Sequence, residues 1–239
     1  MKPPLPLYDI TPFTLLDFPG KTACIFWFSG CNMRCPYCYN PDILFCRGKV
    51  PYSRAASFLE SRTGLLDGVI FSGGECTLHP SLFSYAELVK DTGMLIKTDT
   101  NGSRPDVIAQ LLESSLLDYV ALDFKAPERR YKQVSGRALF NEFHKTLHLL
   151  IASEIPFEVR TTVHPHLLDK EDILEMTRIL EEAGYRGTYY LQQAIDHGNT
   201  LNKLPEPGHC PWLASITSSM FQVSLRNTES SLHFGSPAP

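Results

Sequence analysis

The chain contains no continuous apolar run of about 18 residues, so it has no stretch that reads as a membrane-spanning helix. The opening Met1-Lys2-Pro3-Pro4-Leu5-Pro6 lacks the apolar stretch of a secretory leader. An excess of positive charge is also missing: the formal net charge is −4, which gives no support for nonspecific nucleic-acid binding. Internal repeats and low-complexity segments are absent. Cysteine is sparse and mostly scattered, with seven in 239 residues. No second Cys or His pair stands at zinc-site distance from the one cluster they form, and no further tight cysteine group exists that a second iron–sulfur cluster would need. A disulfide framework suits a short secreted chain, which this is not. Hydrophobic residues make up 43%, enough for a sizeable core and too little for a membrane protein. These absences predict a cytoplasmic protein with no membrane and no nucleic-acid partner.

What is present is Cys31-Asn-Met-Arg-Cys35-Pro-Tyr-Cys38, three thiols on one short loop. Three thiolates at this spacing can hold three corners of a four-iron cluster and leave one iron open. A cluster used only for electron transfer usually has four protein ligands, so the missing ligand implies that a small molecule binds the fourth iron. Structural zinc is the alternative, weakened by the lack of a second ligand pair. Cys24, Cys46 and Cys210 form no ligand pattern, and Cys24 reads as a core residue.

Hydrophobic patterning places this loop in an α/β fold. Apolar runs at 22–28, 68–71, 94–98, 118–124, 157–163 and 188–192 read as buried strands. Helical patterns lie between them at 53–62, 81–91, 104–115, 139–152 and 170–183, with Pro105 suited to a first turn and Gly184 to a stop. Six such alternations predict a parallel sheet with helical crossovers. The periodicity does not separate an open doubly wound sheet from a barrel. The expected organisation is a single domain over 1–239, its core at about 20–195 and a Pro-, Gly- and Ser-rich tail at about 204–239 acting as a cap, with 236–239 frayed. The polar motifs follow strands: the cysteines after the first, Ser72-Gly73-Gly74-Glu75 after the second, Asp99-Thr100-Asn101 after the third. That is the edge where α/β proteins gather their sites.

The cysteine triplet, followed in order by Phe71-Ser72-Gly73-Gly74-Glu75, resembles the radical S-adenosylmethionine (SAM) superfamily. The resemblance implies a partial (β/α)6 TIM-like barrel, a [4Fe–4S] cluster on Cys31, Cys35 and Cys38, and SAM chelating the open iron. In that chemistry a reductant gives the cluster an electron, the electron cleaves SAM, and the resulting 5′-deoxyadenosyl radical removes a hydrogen from a substrate carbon. Ser72, Gly73, Gly74 and Glu75 would receive the SAM amino group, through backbone that glycine lets approach closely and through the charge of Glu75. Tyr37 fits the position that meets the adenine. Cys76 stands where the family has Pro and reads as a small buried residue. Arg34 would favour the anionic cluster or be an exposed cation.

Asp99-Thr100-Asn101-Gly102 and Asp123-Phe124-Lys125 resemble segments of the glycyl-radical-enzyme activases. There Asp99, Thr100 and Asp123 would hold a monovalent cation beside the SAM carboxylate, oxygen ligands suiting such a hard ion; otherwise either Asp caps a following loop or helix. Lys125 and Arg160 would neutralise carboxylates of SAM or of a peptide substrate, or serve as structural ion-pair partners. His164 and His166 read as loop residues. The segment Ile10–Thr22, with Asp17-Phe-Pro-Gly20, resembles the activating proteins of anaerobic ribonucleotide reductase, as do Cys38-Tyr-Asn-Pro41 and Arg160-Thr-Thr-Val163. The expected partners are therefore that reductase and a flavodoxin- or ferredoxin-type reductant, with Asp17 meeting the substrate loop or simply preceding the turn. Two other readings stand beside it: a radical SAM enzyme acting on a small molecule, as 7-carboxy-7-deazaguanine synthase does, and a non-enzymatic iron–sulfur carrier.

Overall fold

A computed structural model of the protein describes residues 5–195 and 199–227. The apolar run Ala23–Phe28 forms strand β2, and five of its six residues are buried. It pairs in parallel with β3 (Gly68–Gly73), and the parallel series continues through β4 (Leu95–Thr100), β5 (Tyr119–Asp123), β6 (Phe157–Val163) and β7 (Thr188–Gln193). Strands buried on both faces read as continuous apolar runs, which is why all six were visible in the sequence.

The sheet nevertheless has eight strands. β1 (Leu7–Thr14) adds antiparallel to β2, and β8 (Gln222–Arg226) adds parallel to β7. Spatial order follows chain order from β1 to β8 without closure. A doubly wound sheet reverses its strand order at a switch point; this one does not, so the fold is the open barrel rather than the doubly wound sheet. The expected tail cap is corrected in part: a 3-10 turn at Pro211–Ser215 leads into β8, which extends the sheet. The expectations for residues 1–4 and 236–239 lie outside the described residues.

The helices are α1 (Pro41–Phe45), α2 (Tyr52–Glu60), α3 (Leu82–Asp91), α4 (Pro105–Glu113), α5 (Glu128–Ser135), α6 (Phe140–Ala152) and α7 (Lys170–Glu182). Of these, α1 and α5 had no sequence expectation: one is a single five-residue turn and the other is strongly polar, with only Tyr131, Val134 and Ser135 buried. Pro105 opens α4 and Asp169 caps α7, its carboxylate accepting from the Asp172 amide. Among the described residues, no helix is long and apolar enough to cross a membrane.

Strand alternation gives the sheet two different faces. Cys24, Phe26, Phe28, Val69 and Phe71 pack with the helices, where the ring of Tyr85 meets Phe26 and Phe28 edge-on. On the inner face Phe18, Ala23, Ile25 and Ile70, with Leu95 and Tyr119 against them, form an apolar floor. Burying each large side chain there contributes roughly 1.5–3 kcal/mol. Towards the strands' carboxyl ends the same face becomes polar, through Ser72, Asp99, Asp123, Arg160 and Gln192.

Candidate active site

A cavity of about 290 Å³ opens above that floor. Cys31, Cys35, Cys38 and Tyr37 line it from the β2–α1 loop, Ser72, Gly73 and Gly74 from the end of β3, and Asp99, Thr100 and Asn101 from the end of β4. Asp123, Lys125 and Arg160 complete the set, so every expected site residue but Glu75 is part of this one wall.

All three thiols are free; Cys35 is buried, and Cys31 and Cys38 are half-buried. Burial, reinforced by the nearby Glu75 carboxylate, pushes the Cys31 thiol up to about 12, and burial also raises Cys35. Both would have to give up their protons to become metal ligands. Among the described residues, no three His, Cys, Asp or Glu side chains are grouped as ligands of one metal ion. The thiols are instead spread along a cavity wall. Tyr37 lines the same wall, and its buried hydroxyl lies beside the Cys35 thiol. A donor set of three free thiols beside a polar cradle fits a site built to receive a cluster and a polar ligand.

The cysteine loop is held by its backbone. The Arg34 guanidinium donates to the carbonyls of Cys31 and Met33 at 2.6 Å each and lies over the Phe45 ring at 4.8 Å. Arg34 is thus a half-buried loop clamp rather than an exposed cation, and its charge, bonded to neutral carbonyls, stays beside the cysteine loop. The Arg34 amide donates to the Ser135 carbonyl at 2.7 Å. From the tail, the amides of Leu201 and Asn202 donate to the carbonyls of Cys38 and Pro36 at 3.0 and 3.1 Å.

The glycines after β3 are required by a protein contact. The Gly74 amide donates to the Phe28 carbonyl and the Glu75 amide to the Gly30 carbonyl, both at 2.9 Å. A Cβ on Gly74 would stand 2.5 Å from the carbonyl carbon of Gly30 and closer still to its oxygen. Gly73 adopts φ +116°, a backbone conformation that other residues rarely adopt. The expected close approach to a ligand is therefore joined by a close approach to the root of the cysteine loop.

Glu75 differs from expectation. Its side chain is buried away from the cavity, accepting from the Thr77 amide at 3.2 Å, the Thr77 hydroxyl at 2.6 Å, the Thr100 hydroxyl at 2.8 Å and the Asn101 amide at 2.7 Å. Burial raises its pKa, against the pull of these donors. The carboxylate ties the end of β3 to the end of β4 instead of offering a free charge. Asn101, positioned by that bond, turns its amide to the Asn32 side chain at 3.0 Å and towards the Cys31 sulfur at 3.9 Å. Cys76 is fully buried, with its thiol near the Asp99 carbonyl at 3.6 Å, as a small interior residue should be.

Across the cavity, acids and bases from neighbouring strands interleave. Lys97 Nζ lies 2.5 Å from Asp99 Oδ1, and the Ser72 hydroxyl donates to Asp99 Oδ2 at 3.0 Å. Asp123 and Arg160 are register partners on β5 and β6, with Arg160 Nε and a terminal nitrogen each 3.0 Å from Asp123 Oδ1. Lys125 Nζ donates to Asp123 Oδ2 at 3.1 Å. Burial alone would raise the Asp99 pKa; the Arg160 and Lys97 charges outweigh it and hold the carboxyl at about 2. Asp123 is likewise lowered against its burial, by Arg160 and then Lys125.

Among the further lining residues that had not been selected are Trp27, Gln192 and Arg226. Arg226, on β8, stacks its guanidinium 3.5 Å from the Tyr190 ring centre and lies 3.5 Å from Glu158 Oε1. The alternation Gln222-Val-Ser-Leu-Arg226 carried the period-2 signal of a strand, hidden among serines with no helix before it. Asp17 does line the cavity, accepting from the Thr14 hydroxyl at 2.5 Å.

A six-strand parallel core with three thiols and a polar cradle at its carboxyl edge defines a radical SAM protein, and the family description "Radical SAM superfamily" matches residues 25–180. The chain belongs to this superfamily, and its cofactors are a [4Fe–4S] cluster and SAM. A candidate glycyl-radical enzyme activating enzyme of Methanocaldococcus jannaschii is 29% identical over 83% of this chain and 85% of its own length. The pyruvate formate-lyase-activating enzyme of Clostridium pasteurianum is 29% identical over 73% of this chain and 76% of its own. Within the superfamily the chain is thus an enzyme of the glycyl-radical-enzyme activating kind. The SAM-bound crystal structure of Streptococcus suis SuiB shares the fold, with a TM-score of 0.64 at 11% identity over 86% of this chain; the chain spans half the length of that structure.

Proposed function

We propose that this enzyme takes the α-hydrogen from one glycine of an anaerobic ribonucleotide reductase, with Cys31, Cys35 and Cys38 as the cluster ligands. The partner is a glycyl-radical enzyme by its likeness to the activating enzymes; the reductase in particular rests on the Ile10–Thr22 segment and the Asp123-Phe-Lys-Ala-Pro127 run. When bound, cluster and SAM supply the one-electron reductive cleavage and the hydrogen-atom abstraction. The chain's own residues supply position and charge. Ser72, Gly73 and Gly74 present backbone to the amino group of SAM, and the backbone at Tyr37 meets the adenine. Lys125 and Arg160 set positive charge against its carboxylate, while Asn101 holds the cysteine loop in register with this cradle. A flavodoxin- or ferredoxin-type protein is the proposed electron donor.

The observation that carries this reading is the single cavity in which three free thiols, the glycine cradle and the Asp99–Asp123–Arg160 wall meet, with Asp17 at its edge. Mixed anaerobically with SAM, reductant and the cognate reductase, the protein is expected to generate a glycyl doublet in the electron paramagnetic resonance spectrum of the partner. Replacing the partner's radical glycine by alanine should abolish it. If SAM is cleaved and a small molecule gives up its hydrogen to 5′-deoxyadenosine while no glycyl enzyme gains the signal, the small-molecule reading replaces this one.

A further inference from the structure

The oxygen atoms expected to hold a monovalent cation are all engaged by the protein itself. Asp99 Oδ1 is 2.5 Å from the Lys97 ammonium and 3.6 Å from Arg160, and Asp99 Oδ2 accepts from Ser72 at 3.0 Å. Asp123 Oδ1 accepts from Arg160 at 3.0 Å and Asp123 Oδ2 from Lys125 at 3.1 Å. The Thr100 hydroxyl donates to Glu75 at 2.8 Å and accepts from the Gly102 amide at 3.1 Å. A cation entering here would have to displace a guanidinium or ammonium group from Asp123 and, at Asp99, either the Lys97 ammonium or the Ser72 hydroxyl. Charge counting points the same way, because Lys97, Lys125, Arg160 and Arg226 set four positive charges against the three carboxylates of Asp99, Asp123 and Glu158.

Lys97 is the distinctive member. It stands two residues before Asp99 on β4 and so projects to the same face of the sheet. Its side chain is only 2% exposed. Leaving water is costly for an ammonium group unless it is paired, and Asp99 provides that pair. Lys97 is absent from the cavity wall, whereas Asp99, Lys125 and Arg160 belong to it. Its charge therefore reaches the cavity through Asp99: it neutralises that carboxylate from behind, so that of Arg160 and Lys125, both paired with Asp123, one positive charge is left over at the wall. A metal cation coordinated by Asp99 and Asp123 would perform the same electrostatic task.

We propose that Lys97, acting with Arg160 and Lys125, takes the place of a monovalent cation, so that this enzyme binds SAM without one. Lys97 is a positioning residue, since it acts through Asp99. The proposal rests on the SAM site assigned above, and the test separates the two. The cluster-loaded enzyme is titrated with SAM by calorimetry in tetramethylammonium, sodium and potassium chloride at equal ionic strength. The expected affinities agree within twofold. A tenfold or greater gain in sodium or potassium overturns the proposal, while no SAM binding in any buffer removes the site on which it stands. In Lys97→Met, whose side chain keeps its length and loses its charge, affinity should fall about tenfold in tetramethylammonium and recover in sodium or potassium. Wild-type affinity without cation dependence in that variant would take the role away from Lys97. The wild-type titration decides the matter by itself if the variant does not fold.

Discussion

Replacing Gly74 by alanine tests the contact on which the geometry of the cavity depends. The added Cβ would lie 2.5 Å from the Gly30 carbonyl carbon and 3.2 Å from the Cys31 amide nitrogen. Carbon atoms pack best at about 3.5–4.0 Å, so the backbone of one loop must retreat by about 1 Å. Backbone cannot rotate aside as a side chain can. The strain of such overpacking is ~1–3 kcal/mol. The same retreat weakens two hydrogen bonds, from the Gly74 amide to Phe28 and from the Glu75 amide to Gly30, each contributing about 1 kcal/mol. The sum, roughly 3–5 kcal/mol, is a large part of the 5–15 kcal/mol that separates a typical folded domain from its unfolded chain. Because Cys31 follows Gly30 directly, the displacement moves the first thiol. Iron and sulfide per chain after anaerobic reconstitution should drop clearly, and the urea midpoint should fall. Gly64→Ala is the control: its φ is also positive, at +74°, but nothing lies within 4 Å of the new Cβ, so it should keep its iron. Wild-type iron content, SAM affinity and urea midpoint in Gly74→Ala would refute the claim that this glycine is fixed by the Gly30 backbone.

Two other expectations follow from the site. Changing Cys31, Cys35 or Cys38 to alanine should abolish both the iron–sulfur absorbance and SAM cleavage, whereas Cys24, Cys46 and Cys210 can each be changed with a reducible cluster retained; loss of the cluster in Cys46→Ala with retention in Cys31→Ala would reverse the assignment. Asp99 has its folded pKa lowered to about 2 from a usual value of 3.8, so the stability it contributes is present above the usual value and lost as pH falls towards 2. The difference corresponds to about 2 kcal/mol, and acid unfolding of Asp99→Asn, followed by circular dichroism, should show a correspondingly shallower loss of stability below pH 4 than the parent protein.

The sequence made some of these features legible because single residues carry their own physical signature. Buried strands such as Ala23–Phe28 announce themselves by unbroken apolarity, and thiols at 31, 35 and 38 have few competing explanations. β1 escaped notice because its residues are mostly half-exposed or exposed, which blurs the pattern of burial. Glu75 and Arg34 illustrate a different limit. Their charges were visible, but the partners that commit those charges, Asn101 in one case and the Cys31 and Met33 carbonyls in the other, depend on how separate loops meet. The Lys97–Asp99 pair could have been seen, since an i, i+2 spacing on a strand places both on one face; the apolar character of the preceding residues drew attention to the strand rather than to its lone cation.

The way the tail joins the sheet bears on how the protein is made. Leu201 and Asn202 fasten the cysteine loop, and Arg226 on β8 supplies part of the far cavity wall. The three cysteines are synthesised early, and these supports come last. At translation rates of 5–20 residues per second, about 195 residues separate Cys31 from Arg226, an interval of roughly 10–40 s. During that time the β2 to β7 core can assemble while its cysteine loop still lacks its tail fastenings. Completion of the loop, and with it a site shaped for iron, is thereby deferred until nearly all of the barrel has left the ribosome.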